Sequence, residues 1–152
     1  MESPQHPLLG QTILLVEDNE DEVFMMRRAF RKAQIPNNLQ TVANGELALD
    51  YLNGKGPFAN REQHPFPSIL FLDLNMPKMG GLEVLEKIRA SDTLKKLIVY
   101  ILSASTRAAD VDRAAVLGAN AYFIKPAQIE KFQELIEGWY KLARFQAYPA
   151  LE

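Results

Sequence analysis

Short runs of apolar residues alternate along the chain with longer segments in which apolar positions recur every three or four residues. The first run, Thr12–Val16, is apolar almost throughout, as in a strand of a parallel sheet that is covered on both faces. Runs of this kind predict five strands, at 12–16, 39–42, 68–72, 97–102 and 121–124. The amphipathic segments predict five helices, at 21–33, 45–52, 81–90, 110–117 and 128–145. Five successive β–α units indicate a doubly wound α/β fold with right-handed crossovers.

The remaining segments indicate how the chain is organised around this fold. One domain accounts for residues 11–145, preceded by a polar extension at 1–10 and followed by a tail at 146–152. Between the second helix and the third strand, Asn53–Pro67 is punctuated by glycine and proline, so we expect a long loop there.

Acidic residues follow two of the predicted strands. Glu17 and Asp18 come after the first strand and Asp73 after the third. The carboxyl ends of parallel strands meet at one edge of the sheet, where ligands bind in this class of fold. Each acid alone would be interpreted as a helix cap or a turn residue. Three together repel one another unless a cation neutralises them, and Mg²⁺ prefers carboxylate oxygens, so we predict a Mg²⁺ site here.

Polar residues also end the fourth and fifth strands. Lys125 precedes Pro126; a lysine in such a place is most often a solvated surface charge, but this one could pair with the carboxylates and with a phosphoryl oxygen. Ser103 either caps the next turn or donates its hydroxyl hydrogen to an anion. These are the groups that phosphoryl transfer requires. We predict in-line attack of Asp73 on a phosphoryl group to give an acyl phosphate, with Lys125 and Ser103 on the phosphoryl oxygens.

The composition narrows the class of protein further. The 152 residues include 17 Lys and Arg and 19 Asp and Glu, and the resulting net charge of −2 argues against a general role on nucleic acid or membrane surfaces. The chain lacks cysteine, which excludes disulfides, thiol catalysis and thiolate metal sites. The only early apolar run, Ile13–Val16, is too short for a signal sequence or a membrane span, so we expect a cytoplasmic protein.

Five sequence motifs together resemble the receiver domain of two-component response regulators. They are ILLVEDNEDE, ILFLDLNMPKMGGLEVL, LSAS, LGANAY and FIKP, at residues 13–22, 69–85, 102–105, 117–122 and 123–126. The motifs occur in the order of the family, and the resemblance covers residues 11–145. It implies a five-stranded parallel sheet of flavodoxin-like order 2-1-3-4-5 and phosphorylation of Asp73 by a histidine kinase.

The resemblance assigns roles to the residues of the predicted site. Asp73 matches the phosphorylated aspartate, and Glu17 and Asp18 match the acidic pair that binds Mg²⁺ (or Mn²⁺). Asn75 matches the residue whose backbone carbonyl binds the metal. Lys125 matches the lysine of the family, whose bond to the following proline is cis.

Three further residues match positions that respond to phosphorylation or govern its reversal. Ser103 matches the switch hydroxyl, which turns inward on phosphorylation, and Tyr122 matches the switch aromatic that changes rotamer with it. A half-buried strand aromatic is the alternative interpretation of Tyr122. The side chains of Asn75 and Ser105 would flank the path of the water that hydrolyses the acyl phosphate.

Two departures from the shortest receivers resemble one subgroup of the family. The Asn53–Pro67 loop is longer, and we expect no output domain after residue 145. Both features, and the terminal segment 137–149, resemble the single-domain regulators that pair with phytochrome-type histidine kinases in bacteria and cyanobacteria. The resemblance therefore implies a stand-alone phosphoacceptor that catalyses only its own phosphorylation and dephosphorylation.

The last predicted helix has apolar residues beyond those of one face. A stripe at helical spacing predicts its core face: Ile129, Phe132, Leu135, Ile136, Trp139 and Leu142. Tyr140, Phe145 and Tyr148 lie off or beyond that stripe, and exposed aromatics near a chain end are typical of an interface. We predict a homodimer through the last helix, the region of the fourth strand and the tail. The alternative is that the tail folds back over its own domain.

Three other functions are considered for a fold of this class. A phosphohydrolase that forms an aspartyl phosphate needs a second acid two residues after the nucleophile, where this chain has Asn75. A flavin carrier needs a hydroxyl- and glycine-rich phosphate loop after the first strand, where Glu17 and Asp18 would repel the phosphate. A pure interaction module would not need the complete set of site residues.

Overall fold

A computed structural model describes residues 11–143 of the protein, which form one parallel sheet with helices on both faces. The strands are β1 (Thr12–Val16), β2 (Asn38–Val42), β3 (Ile69–Leu72), β4 (Ile98–Ser103) and β5 (Ala121–Ile124). The helices are α1 (Glu20–Lys32), α2 (Gly45–Asn53), α3 (Gly81–Ala90), α4 (Ala108–Val116) and α5 (Ile129–Ala143), and a short 3₁₀ helix (Gly56–Phe58) follows α2. The strand order is β2-β1-β3-β4-β5 with parallel pairing throughout, which confirms the predicted fold class and order.

Successive side chains of the central strands fill two cores, one on each face of the sheet. In β1, Ile13 and Leu15 pack with α1 and α5, whereas Leu14 and Val16 pack with α2, α3 and α4. All four side chains are almost completely buried. A strand covered on both faces has no polar side, which explains why β1 is a continuous apolar run in the sequence.

Helix α5 differs from the prediction at both ends of its apolar stripe. Phe132 and Trp139 are buried, but Ile129 is exposed and Leu142 is 71% exposed. The buried face continues to Ala143 instead of Leu142, because Ala143 lies four residues after Trp139 on the same side of the helix. Neither α5 nor any other helix within residues 11–143 is long and apolar enough to cross a membrane.

One arginine organises the long connection between α2 and β3. The Arg61 guanidinium donates to the carbonyl oxygens of Tyr51 (2.7 Å), Leu52 (2.9 Å) and His64 (3.1 Å). Gly54, the residue that follows α2, has a φ of 65°, and a Cβ there would lie 2.9 Å from the guanidinium. The segment predicted as a long loop is therefore folded against the end of α2.

Candidate functional site

The carboxyl ends of β1 and β3 bring three acids together. One carboxylate oxygen each from Glu17, Asp18 and Asp73 lies within 4.8 Å of the other two. Glu17 and Asp73 are buried, whereas Asp18 is exposed. The sheet fixes the two buried acids through their main chain, because the N–H of Glu17 donates to Val42 (3.0 Å) and that of Asp73 donates to Val16 (3.2 Å). We call these three residues the acid cluster.

Helix α3 packs directly against the backbone of Asp73. The N–H of Gly81, the first residue of the helix, donates to the carbonyl oxygen of Leu74 at 3.2 Å. A Cβ at position 81 would lie only 2.2 Å from the carbonyl oxygen of Asp73. Glycine at this position therefore permits the contact that holds Asp73 at the edge of the sheet.

Lys125, directly after β5, is the buried cation of the site. Its side chain is 7% exposed, and its ammonium donates to the carboxylates of Glu17 and Glu22, to the latter at 2.8 Å. The ammonium nitrogen also lies 3.7 Å from Oδ2 of Asp73. Glu17 and Glu22 accept hydrogen bonds from two of its three N–H donors, whereas Asp73 lies beyond hydrogen-bond distance and interacts with the ammonium through its charge.

Glu22 was missed in the analysis of the sequence. It is the third residue of α1, whose N-terminus is capped by Asn19: the side-chain oxygen of Asn19 accepts the N–H groups of Asp21 (2.9 Å) and Glu22 (3.2 Å). An acid in the first turn of a helix is ordinarily explained by the helix dipole. That explanation gave no reason to expect that Glu22 also accepts a hydrogen bond from Lys125. The position of Glu22 could have indicated this contact, because the first turn of α1 follows β1 and therefore lies at the same end of the sheet as Lys125.

Burial disfavours the ionised form of the acids at the site and so raises their pKa values. It raises the pKa of Glu17 to about 8; the neighbouring Glu22 adds to the rise and Lys125 acts against it. Burial likewise raises the pKa of Asp73, against the opposing charge of Lys125. For Lys125 burial disfavours the charged form, but the hydrogen bonds to Glu17 and Glu22 outweigh it and raise the pKa. A cation among the acids would favour their ionised forms.

The two residues predicted to act as a switch both contact Ser105. Ser103 is fully buried, and its hydroxyl oxygen accepts the N–H of Ser105 at 3.2 Å. The Tyr122 hydroxyl donates to the carbonyl oxygen of Ser105 at 2.9 Å. The hydroxyl of Ser105 itself donates to Asp110 in the first turn of α4, and Asp110 also pairs with Arg107 at 3.1 Å. The loop after β4 is therefore attached to both β5 and α4.

Two further expectations concern the loops of the site: the role of Asn75 and the isomer of the bond between Lys125 and Pro126. Asn75 is exposed in the loop after β3, and its N–H donates to Oδ1 of Asp73 at 3.3 Å, so it lies beside the acid cluster. The expectation of a cis bond between Lys125 and Pro126 is wrong, because no peptide bond among the described residues is cis. The trans isomer is the intrinsically favoured form of such a bond.

Comparison with known sequences identifies the family of the chain. Residues 13–137 match the response regulator receiver domain. The chain is 35% identical over 128 residues to the probable methanogenesis regulatory protein FilR2 of Methanothrix harundinacea. The aligned region covers 82% of this chain and 78% of that protein. It is 30% identical over 128 residues to the response regulator Rcp1 of Synechocystis, which covers 84% of this chain and 85% of Rcp1.

Solved structures agree with the sequence relatives. The response regulator RPA3017, in red light signaling of R. palustris, has a TM-score of 0.87 at 35% identity, over 92% of this chain and 99% of that one. The phosphorylated cyanobacterial phytochrome response regulator RcpA has a TM-score of 0.85 at 31% identity, over 93% and 99%. The Mn²⁺-bound form of Rcp1 has a TM-score of 0.82 at 28% identity, over 92% and 99%. The chain therefore belongs to the response regulator receiver domains, the signalling modules of two-component systems, and its relatives include phytochrome-associated response regulators.

Proposed function

We propose that the protein accepts a phosphoryl group on Asp73 from a histidine kinase, with Mg²⁺ or Mn²⁺ bound at the acid cluster. One observation carries this proposal: the acid cluster lies beside the buried ammonium of Lys125, which is 3.7 Å from Asp73. A carboxylate nucleophile, acids for a metal and a fixed cation are the elements that phosphoryl transfer needs. Membership of the receiver family supports the same function.

The residues present fit a small divalent cation. Glu17, Asp18 and Asp73 offer hard oxygen ligands, and Asn75 would add its backbone carbonyl. Three carboxylates outnumber the single charge of Lys125, and two of the three are buried, so a cation relieves repulsion inside the site. When bound, the metal neutralises charge on the reacting oxygens. The description of one relative, Rcp1, as Mn²⁺-bound supports this assignment.

Asp73 acts as the nucleophile in this proposal. One of its carboxylate oxygens forms a bond to phosphorus while the bond between phosphorus and the histidine nitrogen of the kinase breaks. The electron pair of the broken bond remains on that histidine nitrogen, and the imidazole leaves as a neutral group because its other ring nitrogen carries a proton. Lys125 and the Ser103 hydroxyl donate to phosphoryl oxygens, for which Lys125 exchanges a carboxylate partner and Ser103 turns away from the N–H of Ser105.

Ser103 and Tyr122 transmit this change to the surface in the proposed mechanism. Both contact the main chain of Ser105, so a rotation of the Ser103 hydroxyl alters the loop that Tyr122 holds. Asn75 and the side chain of Ser105, whose hydroxyl donates to Asp110, flank the path of the hydrolytic water in this proposal. The domain then catalyses only its own phosphorylation and dephosphorylation.

A phytochrome-type histidine kinase is the proposed partner. The support is similarity to RPA3017, which acts in red light signaling, and to RcpA, a phytochrome response regulator. We propose a cytoplasmic location and no direct partner among nucleic acids or membranes, consistent with a net charge of −2.

A homodimer through α5 and the C-terminal tail is also proposed. Leu142 on α5 is 71% exposed, which supports a contact there. Phe145, Tyr148 and the tail lie outside the described residues. Strand β4 is buried between β3 and β5, so only segments next to it can contribute. Sedimentation at micromolar concentration, with and without the residues after Lys141, tests the dimer, and a monomer in both cases contradicts it.

Incubation with Mg²⁺ and acetyl phosphate, followed by intact mass measurement, tests the central proposal. We expect a gain of one phosphate in the parent protein and none in Asp73→Asn. The matched control is Asp92→Asn, which removes an acid whose side chain is 96% exposed and should leave the gain unchanged. Continued turnover of a small phosphate ester would support a phosphohydrolase instead. A parent protein that gains no phosphate and does not bind beryllofluoride would contradict the proposal.

A further inference from the structure

A closed ring of hydrogen bonds links α1 to the end of β5 at the site. The N–H of Asn19 donates to Oε2 of Glu17 at 3.2 Å, and the side chain of Asn19 accepts the N–H of Glu22 at 3.2 Å. Lys125 closes the ring by donating to Oε2 of Glu22 and to Oε1 of Glu17. Glu22 thus holds the same ammonium as Glu17, from a different element of the fold.

The two glutamates of this ring differ in what else they must do. Glu17 belongs to the acid cluster, and both of its carboxylate oxygens already accept hydrogen bonds. A cation at the acid cluster therefore shares the Glu17 carboxylate with these two donors and competes with Lys125 for its negative charge. Glu22 is not a member of the acid cluster, so its 2.8 Å bond to Lys125 can persist.

We propose that Glu22 is a positioning residue for Lys125 during phosphorylation; this inference rests on the proposed function. The lysine side chain is a flexible chain with a compact charge at its end, and it needs a partner to stay in one place. With Glu17 committed to the cation, Glu22 is the carboxylate that keeps the ammonium beside Asp73. A buried ammonium without such a partner is costly, so its position near the reacting oxygens would be lost.

The placement of Glu22 suits this role. Its backbone N–H is fixed by the Asn19 cap, so the base of the side chain does not move freely. Its side chain is 33% exposed, compared with 2% for Glu17, so its charge costs less to keep in place. A charge-assisted hydrogen bond from a 7% exposed ammonium is among the stronger contacts that a side chain makes.

The first turn of α1 contains its own control. Glu20 and Asp21 lie in the same turn and complement the helix dipole as Glu22 does. Neither of them pairs with Lys125 among residues 11–143. Glu20→Gln therefore removes the same charge from the same helix end without touching the ring, whereas Glu22→Gln keeps the shape of the side chain and removes its charge.

The rate of phosphate gain from acetyl phosphate, at saturating Mg²⁺ and donor, separates the two roles. We expect Glu22→Gln to be slower by about tenfold, because one charge-assisted hydrogen bond is weakened. Glu20→Gln should stay within about twofold of the parent. The Mg²⁺ concentration for half-maximal rate should change little in both variants, because neither residue belongs to the acid cluster. Equal rates for Glu22→Gln and Glu20→Gln would overturn the inference.

A double-mutant cycle shows whether Glu22 acts through Lys125. In a Lys125→Ala background, Glu22→Gln should leave the slow residual rate unchanged, and a further loss there overturns the inference. Urea unfolding without metal provides a readout that needs no phosphorylation. The four proteins are the parent, Glu22→Gln, Lys125→Ala and the double variant, and we expect the effects of the two substitutions on the free energy of unfolding to be non-additive. Additive effects on unfolding would also overturn the inference. A parent that gains no phosphate contradicts the proposed function itself, whatever the unfolding cycle shows.

Discussion

Partly buried cations have opposite kinds of partners at the two ends of the parallel strands. We call the end where the strands finish the carboxyl edge and the end where they begin the amino edge. At the carboxyl edge, carboxylates surround Lys125. At the amino edge, Arg61 and Arg89 donate to main-chain carbonyl oxygens, and neither forms an ion pair with a carboxylate among the described residues. The first arrangement places negative charge around a cation, and the second satisfies the ends of secondary-structure elements.

Arg89 shows the arrangement of the amino edge most fully. From α3 its guanidinium reaches the carbonyl oxygens of Lys95 (3.0 Å), Leu97 (2.8 Å) and Gly118 (2.9 Å) and the side-chain oxygen of Asn120 (3.0 Å). These acceptors lie just before β4 and β5, so one side chain joins three elements. The planar, five-donor guanidinium suits such a fan of acceptors better than an ammonium does.

The difference between the edges lies in whether a partner can be replaced. The main-chain carbonyl oxygens around Arg89 are held in place by the segments that precede β4 and β5, so we expect these contacts to serve stability. In the proposed function, the carboxylates around Lys125 turn toward a metal and Lys125 turns toward a phosphoryl oxygen. We therefore expect substitutions at the carboxyl edge to change chemistry and substitutions at the amino edge to change the free energy of unfolding.

Substitution of Lys125 should have the largest effect. Lys125→Met keeps the apolar part of the side chain and removes the donor to the phosphoryl oxygen, so we expect phosphorylation by acetyl phosphate to slow by at least about 100-fold. The measurement is the rate of mass gain in saturating Mg²⁺. Lys131→Met, at a lysine whose side chain is 62% exposed, is the control and should react like the parent. A parent-like rate for Lys125→Met would remove the proposed distinction between the edges.

Substitution of Arg89 tests the opposite edge. Arg89→Met removes the donor to three main-chain carbonyl oxygens and one of the two donors to the side-chain oxygen of Asn120, which keeps the N–H of Val99. We expect the free energy of unfolding to fall by about 3 kcal/mol. Urea unfolding measures this loss, and the control Arg113→Met, at an exposed position of α4, should have little effect on the free energy of unfolding. The amount of phosphate gained per folded molecule should stay the same. A variant of parent stability with impaired phosphorylation would show that the amino edge also serves the chemistry.

The pH dependence of metal binding should be a smaller effect. Burial raises the pKa of Glu17 from 4.5 to about 8, so below that pH a proton competes with the cation. Apparent Mg²⁺ affinity should therefore rise with pH toward 8, by at most about tenfold per unit. For the metal-free protein the same shift stabilises the fold fully below pH 4.5, and this contribution is lost as the pH rises through 8. Calorimetric titrations from pH 6 to 9 measure the affinity, and a flat profile contradicts the prediction.

The part of the site that depends on topology alone could be predicted from the sequence. Apolar runs such as β1 mark strands, and parallel strands in this order place their carboxyl ends at one edge. Glu17, Asp18 and Asp73 therefore had to lie near one another, and the structure brings them within 4.8 Å. This reasoning uses only the position of a residue relative to the end of its strand.

Contacts that depend on the reach and direction of a side chain could not be predicted in this way. The sequence shows that Glu22 and Arg89 are charged, but their partners are distant in the chain and are fixed only by packing. The same limit explains why Leu142 was wrongly placed on the buried face of α5. Leu142 is 71% exposed, whereas its neighbour Ala143 is buried. Ser105 is a further contact that the sequence did not predict: its side chain was expected to flank the path of the hydrolytic water, and in the structure its hydroxyl donates to Asp110.

The hydrogen-bond ring has a consequence for the order in which the site is made. Glu17 and Lys125 are 108 positions apart, so the ribosome delivers the acids of β1 and β3 well before the lysine that pairs with them. The partly synthesised chain must tolerate its acids with protons or solvent cations alone. Closing so long a loop is also entropically expensive, which favours late formation of this contact. If the proposed function holds, the nascent chain becomes competent for phosphorylation only when β5 joins the sheet.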